Sequence, residues 1–300
     1  MPKASFTSTD NRQMEVEYET FGDPSHPALL MIMGYSAQMT AWPEGFIKKI
    51  ANEGYFVIRF DNRDCGLSTH LDGVLVDVGP VIAAALFDDP IPPIPYTLVD
   101  MAGDAIAVLD HLGIERAHVA GMSLGGMVSQ VVAYTYPNRV MTLTSISSQP
   151  GDPEVGQPTM EASAVIFEEA PAGMSREDYI ESSLNWQVWQ SKKYRDDNLS
   201  RTAAALAYDR AFYPEGATRQ LAAVYGTGRR HDQVATISVP TLVIHGTDDT
   251  LITPSGGERT AELVPNSTLV MVDDMGHDLP QPLWPLLTNA IVDHLSRVQA

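Results

Sequence analysis

A serine hydroxyl is a weak nucleophile at neutral pH. It attacks a carbonyl only when a neighbouring base takes its proton and a third group holds that base in one tautomer. The sequence offers such a serine in Gly121-Met122-Ser123-Leu124-Gly125. The spacing G-x-S-x-G places a serine on a sharp turn between a strand and a helix, where small flanking residues let the backbone fold tightly and lift the hydroxyl into a cleft. Alone the pattern is weak, because ordinary glycine and serine usage produces it by chance. Its setting is stronger: the short strand pattern His118-Val119-Ala120 precedes it, a helical pattern over 124–136 follows, and Gly126 adds room. The competing reading is a glycine-rich structural turn.

A base and an acid must then reach the same cleft. Of eight histidines, His277 lies in Met275-Gly276-His277-Asp278, just after the last strand-like run, where a loop can meet the mouth of the serine turn. His118 and His245 read as core or turn residues, and His26, His70, His111, His231 and His294 as surface, loop or helix positions. The acid is expected between serine and histidine, in Gly246-Thr247-Asp248-Asp249. Counting G-x-x-D from Gly246 selects Asp249, with Asp248 as the alternative. The chain order Ser…Asp…His separates this triad from two others that share its geometry. Charge developing on a substrate oxygen needs donors already in place. The backbone N–H of Leu124 is one candidate. The N–H of Tyr35 in Gly34-Tyr35-Ser36 is the other, unless Gly34 merely ends a strand.

The elements that must carry these residues follow from periodicity. The short unbroken apolar run at 28–33 suits a strand buried on both faces of a parallel sheet, and 55–60 reads as another buried strand. Residues 97–113 show helical spacing closed by Gly113, and Pro43 opens another helix that stops at Gly54. The βα rhythm breaks at about 150 and returns at Val239-Pro240-Thr241. Alternating strands and helices predict one mostly parallel sheet of eight strands with helices on both faces. The interruption predicts a helical cap, 149–232, inserted into a core made of 1–148 and 233–300. Trp186, Trp189 and Tyr213 fall in this insertion; they either line an apolar substrate pocket or pack between cap helices. Gly34, Met122 and Trp186 are the substrate-contacting candidates. The long connection 71–95 reads equally as a lid or as a helix on the surface.

At this point the sequence resembles the α/β-hydrolase superfamily. The matching segments are MGYS (33–36), DNRDCGLS (61–68), GMSLGG (121–126), HGTDD (245–249) and MGHD (275–278), and their order and spacing are specific for that fold. Residues 33–43 with 61–68 look most like the bacterial carboxylesterases of the aclacinomycin methylesterase group. The resemblance implies a carboxylic-ester hydrolase with a helical cap, Ser123 as nucleophile, His277 as base, Asp249 as acid, and Tyr35 and Leu124 amides around the oxyanion. It implies no metal and no organic cofactor. Met33 stands where many members carry histidine, and Thr253 where a proline usually follows the acid. The same serine triad serves cofactor-free perhydrolases, haloperoxidases and carbon–carbon bond hydrolases, so these are alternatives. A ligand-binding protein on a retired scaffold is the alternative of another class.

Composition narrows the partners. The 300 residues, 44% of them apolar, suffice for one large domain or one carrying an insertion. With 38 acidic against 19 basic residues, the net charge of −19 repels phosphate backbones and anionic lipid. A small-molecule ester is therefore the expected partner, and neither nucleic acid nor membrane is. Monomer and homodimer both remain open. The single cysteine, Cys65, forms no intrachain disulfide and reads as structural within its turn. The first residues show no basic start followed by an apolar run, and no segment approaches about 20 apolar residues. The expectation is a soluble cytoplasmic protein.

Overall fold

Ala28-Leu29-Leu30-Met31-Ile32 offers no polar face, so a strand made from it is stable only where both sides of the sheet are covered. The computed structural model, which describes residues 2–9, 11–87, 89–168 and 170–298, places it in that position. The strands are β1 (Lys3–Thr7), β2 (Gln13–Phe21), β3 (Ala28–Ile32), β4 (Phe56–Phe60), β5 (Ala117–Met122), β6 (Val140–Ile146), β7 (Thr241–Gly246) and β8 (Ser267–Val272). They form one eight-stranded sheet in the order β1-β2-β4-β3-β5-β6-β7-β8. The β1–β2 and β2–β4 pairs are antiparallel, and every pair from β4 to β8 is parallel.

The helices are α1 (Glu44–Asn52), α2 (Val78–Phe87), α3 (Leu98–His111), α4 (Leu124–Thr135), α5 (Met160–Ile166), α6 (Arg176–Ser182), α7 (Asp197–Ala211), α8 (Glu215–Thr227), α9 (His231–Val234), α10 (Ser255–Leu263) and α11 (Trp284–Leu295). Successive side chains of a strand point to opposite faces, and β3 shows the result. Leu30 and Ile32 join Met101 of α3 and Val128 of α4 in one apolar cluster. Leu29 and Met31 join Phe46 of α1 and Ile291 of α11 in the other. The start of α3 is fixed by a capping box. Thr97 accepts the Asp100 N–H while the Asp100 carboxylate accepts the Thr97 N–H at 2.8 Å.

Between β6 and β7 the chain leaves the sheet and forms α5 to α9, with a 3-10 turn at Ser183–Val188. Buried ion pairs tie this segment to the turn Asp61-Asn62-Arg63-Asp64 that follows β4. Arg219 of α8 donates two 2.8 Å bonds to Asp64, and Arg210 of α7 lies 2.8 Å from Asp61. From the sheet side, Arg63 donates two 2.6 Å bonds to Asp104 of α3. Cys65, next in the chain, is buried. Burial and the Asp61 carboxylate raise its thiol pKa, so it stays protonated.

His294, read as a surface or helix position, is buried on α11 and bonds the Leu143 carbonyl at 3.1 Å, because it lies on the face of Ile291 and Leu287. The segment 71–95 contains a helix, α2, that packs against α8. No helix among the described residues is long and apolar enough to cross a membrane.

Candidate active site

In the parallel part of the sheet, β5, β7 and β8 all end on the same edge, and the loops after them carry Ser123, Asp249 and His277. Ser123 has φ 58° and ψ −125°, a sparsely populated backbone region that costs about 1–3 kcal/mol and persists only when its surroundings enforce it. They do. Ser123 N–H donates to the Ile146 carbonyl at 2.9 Å, and its own carbonyl accepts Met127 N–H at 3.1 Å and Ser148 Oγ at 2.8 Å. A Cβ at Gly121 would overlap the Gly125 carbonyl, and one at Gly125 would overlap the Ile32 carbonyl. The glycines of the motif are there because strand, turn and helix approach one another at backbone distance.

Asp249 is buried. Its Oδ1 accepts the N–H groups of Leu251 and Ile252, both at 2.9 Å, and its Oδ2 lies 2.7 Å from His277 Nδ1. A carboxylate only accepts, so the proton of this bond sits on His277 Nδ1 and leaves Nε2 with a lone pair. The structure thus pairs His277 with Asp249 and not with Asp248. A second imidazole adjoins the same carboxylate: His245 Nε2 is 3.5 Å from Asp249 Oδ2 and 2.7 Å from the Ile252 carbonyl. Burial lowers the His245 pKa, which keeps it neutral and donating to Ile252.

The His277 loop is also held from the inserted segment. His277 N–H donates to the Trp189 carbonyl at 2.6 Å, and Ser191 N–H donates to Asp278 Oδ1 at 3.1 Å. Thr250 Oγ1 donates to the Val188 carbonyl at 2.8 Å. Burial raises the Asp278 carboxyl pKa to about 6. The Ser123 hydroxyl makes no hydrogen bond to His277 among the described residues; such bonds are often long before substrate binds.

Ser123, Leu124 and Tyr35 border a cleft of about 920 Å³, its open mouth included. Its walls are mainly apolar: Met127 and Ile252 from the sheet side, Ala85 and Leu86 from α2, Leu221, Val224 and Tyr225 from α8, and Ile166 and Phe167 at the end of α5. Leu124 is the first residue of α4, so its N–H lacks an intrahelical acceptor and is available to a ligand. Gly34 faces the serine, since a Cβ there would stand 3.0 Å from Ser123 Cβ. Met122 lies in the core cluster with Met33. Trp186 packs edge-on against Tyr179 at 5.8 Å, and Tyr213 stacks on His70 at 3.7 Å; neither borders the cleft. Among the described residues, no group of three or more His, Cys, Asp or Glu is arranged to hold a metal ion.

Sequence reasoning missed Gln220 and the backbone contacts that Val188, Trp189 and Ser191 make to the candidate loops from the insertion. Gln220 sits on α8 next to Leu221-Ala222-Ala223, a buried apolar run. That neighbourhood is the one sequence hint that its amide is not a surface group.

The profile of the alpha/beta hydrolase fold matches residues 27–280. The chain is 28% identical over 296 residues to rhodomycin D methylesterase DauP of Streptomyces sp. (strain C5), covering 92% of this chain and 93% of that protein. It is 25% identical over 278 residues to a 2-hydroxy-6-oxononadienedioate/2-hydroxy-6-oxononatrienedioate hydrolase of Burkholderia vietnamiensis (strain G4 / LMG 22486), covering 89% and 86%. Its fold is similar to that of an esterase from Exiguobacterium antarcticum, with a TM-score of 0.73 at 19% identity over 98% of this chain and 99% of the other. Profile and sheet order agree, and the chain belongs to the α/β-hydrolase fold family.

Proposed function

We propose that this chain is a carboxylic-ester hydrolase that works through Ser123, His277 and Asp249. The observation that carries the reading is the strained Ser123 turn at an apolar cleft, with the buried Asp249–His277 pair on the same sheet edge. His277 Nε2 takes the hydroxyl proton as Ser123 Oγ bonds to the ester carbonyl carbon. The amides of Tyr35 and Leu124 receive the oxygen as it gains charge. The carbon–alkoxy bond then breaks, and the alcohol departs with the proton from His277. Water, deprotonated by the same imidazole, cleaves the acyl-enzyme and restores the serine. Residues 149–232 act as the cap over a core of 1–148 and 233–300, and the apolar walls of the cleft suit an apolar acyl or alcohol group. Similarity to a methylesterase makes methyl esters the first substrates to try.

A second reading has one observation in its favour. The named substrate of the Burkholderia relative contains no ester or amide, so its hydrolysis must break a carbon–carbon bond. The same triad could serve such a ketone. Two experiments separate the cases. Turnover of p-nitrophenyl and methyl esters of graded chain length is compared with that of a vinylogous diketone, and a fluorophosphonate-labelled residue is mapped. Ester turnover with label on Ser123, lost by at least about a thousandfold in Ser123→Ala, supports the esterase. Near-normal turnover by Ser123→Ala would remove Ser123 from the role.

A further inference from the structure

The turn that follows β3 is held at both ends. At one end Asn62 Nδ2 donates to the Met33 carbonyl at 2.8 Å. At the other the Ser36 N–H donates to Gln220 Oε1 at 2.8 Å. Ser36 has φ 53°, in the left-handed region that a serine adopts only when something holds it there. Between these two gripped peptides lies the Gly34–Tyr35 peptide, which carries the Tyr35 N–H; its own carbonyl accepts Ala37 N–H at 3.3 Å.

Gln220 is fully buried, and both ends of its amide are used. While Oε1 takes the Ser36 N–H, Nε2 donates to the Arg63 carbonyl at 2.8 Å. That carbonyl is a firm anchor, because the Arg63 guanidinium is bonded twice to Asp104 and lies 5.0 Å over the Tyr96 ring. An Oε1 acceptor and an Nε2 donor at these two partners fix the amide in one orientation.

We infer that Gln220, from helix α8 of the inserted segment, is a positioning residue that fixes the oxyanion turn Met33-Gly34-Tyr35-Ser36. This rests on the reading of Tyr35 and Leu124 as oxyanion donors. With the flanking peptides gripped, the Tyr35 N–H cannot swing away from the place where charge develops. Preorganisation of that kind acts on the transition state and not on substrate binding. The insertion therefore contributes to the rate of the chemical step, and not only to which substrates fit.

The test uses the full chain with Gln220→Met, which matches the volume and removes both bonds. Rates are expressed per active site titrated by fluorophosphonate. Two inhibitors report on the site: an aryl trifluoromethyl ketone, whose carbonyl takes up the serine oxygen as a tetrahedral oxyanion, and the corresponding secondary alcohol, which has no such carbonyl. For Gln220→Met, kcat is expected to fall about tenfold to a hundredfold. KM and the affinity for the alcohol stay within about threefold, and the ketone weakens in step with kcat. A Gln220→Met enzyme within about twofold of wild type overturns the inference, as does a loss confined to KM and alcohol binding. Ser123→Ala, measured alongside, keeps the two proposals apart. An active Ser123→Ala sinks the esterase mechanism itself. A dead Ser123→Ala beside a normal Gln220→Met sinks only the role of Gln220.

Discussion

Asp248 and Asp249 are neighbours of the same type in one loop, yet only Asp249 meets the imidazole. The carboxylate is committed on every side: two backbone N–H groups on Oδ1, His277 on Oδ2, and His245 beyond. Asp249→Asn would present an amide where an acceptor is needed and disturb the His277 tautomer. It is expected to lower kcat by about four orders of magnitude, and Asp248→Asn by less than about threefold, measured on a p-nitrophenyl ester. The reverse ranking would reassign the acid. Spacing pointed to Asp249 because the reach from Gly246 to a carboxylate at the strand end depends on local backbone geometry. Nothing local assigns Trp186: an indole buries the same apolar surface whether it lines a pocket or packs on Tyr179. Its partner is set by tertiary contacts, which is why the sequence left both readings open.

Elements were legible where burial is two-sided. The unbroken apolar run of β3 points to a covered parallel sheet, with β4 broken only by Arg59, and Gly113 bounds α3. Histidines inside those elements were harder, since burial of His294 depends on how α11 docks on β6. His118 on β5 and His294 have their pKa lowered to about 4, chiefly by burial, from 6.5, and each would repel the other if charged. His118 bonds Thr142 Oγ1 at 2.8 Å, which a neutral ring can do. In the unfolded chain both rings bind a proton below about pH 6.5, whereas the folded chain resists protonation until near pH 4. Stability is therefore whole above that window and is lost as the pH falls through it. The urea midpoint is expected to drop between pH 7 and pH 5, and His294→Gln to flatten that drop. An unchanged slope in the variant would show that His294 is not a source.

At the scale of the whole molecule, the insertion is bolted down by partners far apart in sequence. Arg219 and Asp64 are 155 residues apart, so no periodicity or motif could have joined them. Both are almost fully buried, and removing one leaves the other charged and unpaired. Arg219→Met is expected to destabilise the chain by about 3–5 kcal/mol in urea unfolding, and the double variant with Asp64→Asn by clearly less. A double-variant loss equal to the sum of the two single losses would mean that the pair carries no coupling. Similar ties bind α7 through Asp61 and the 188–191 stretch through the His277 loop. The part of the cleft wall formed by α2 and the end of α5 has no such buried ion pair among the described residues. The 71–95 connection, read as either lid or surface helix, supplies part of that wall through Ala85 and Leu86.

Cys65 sits beside the two carboxylates that fasten α7 and α8, and it is the chain's single thiol. While those helices stay docked, it offers an alkylating reagent neither access nor thiolate. Once the turn is laid bare, the sulfur reacts. The native protein thus carries its own clock for undocking of the insertion, readable by mass spectrometry from the pace of maleimide uptake with no engineered label.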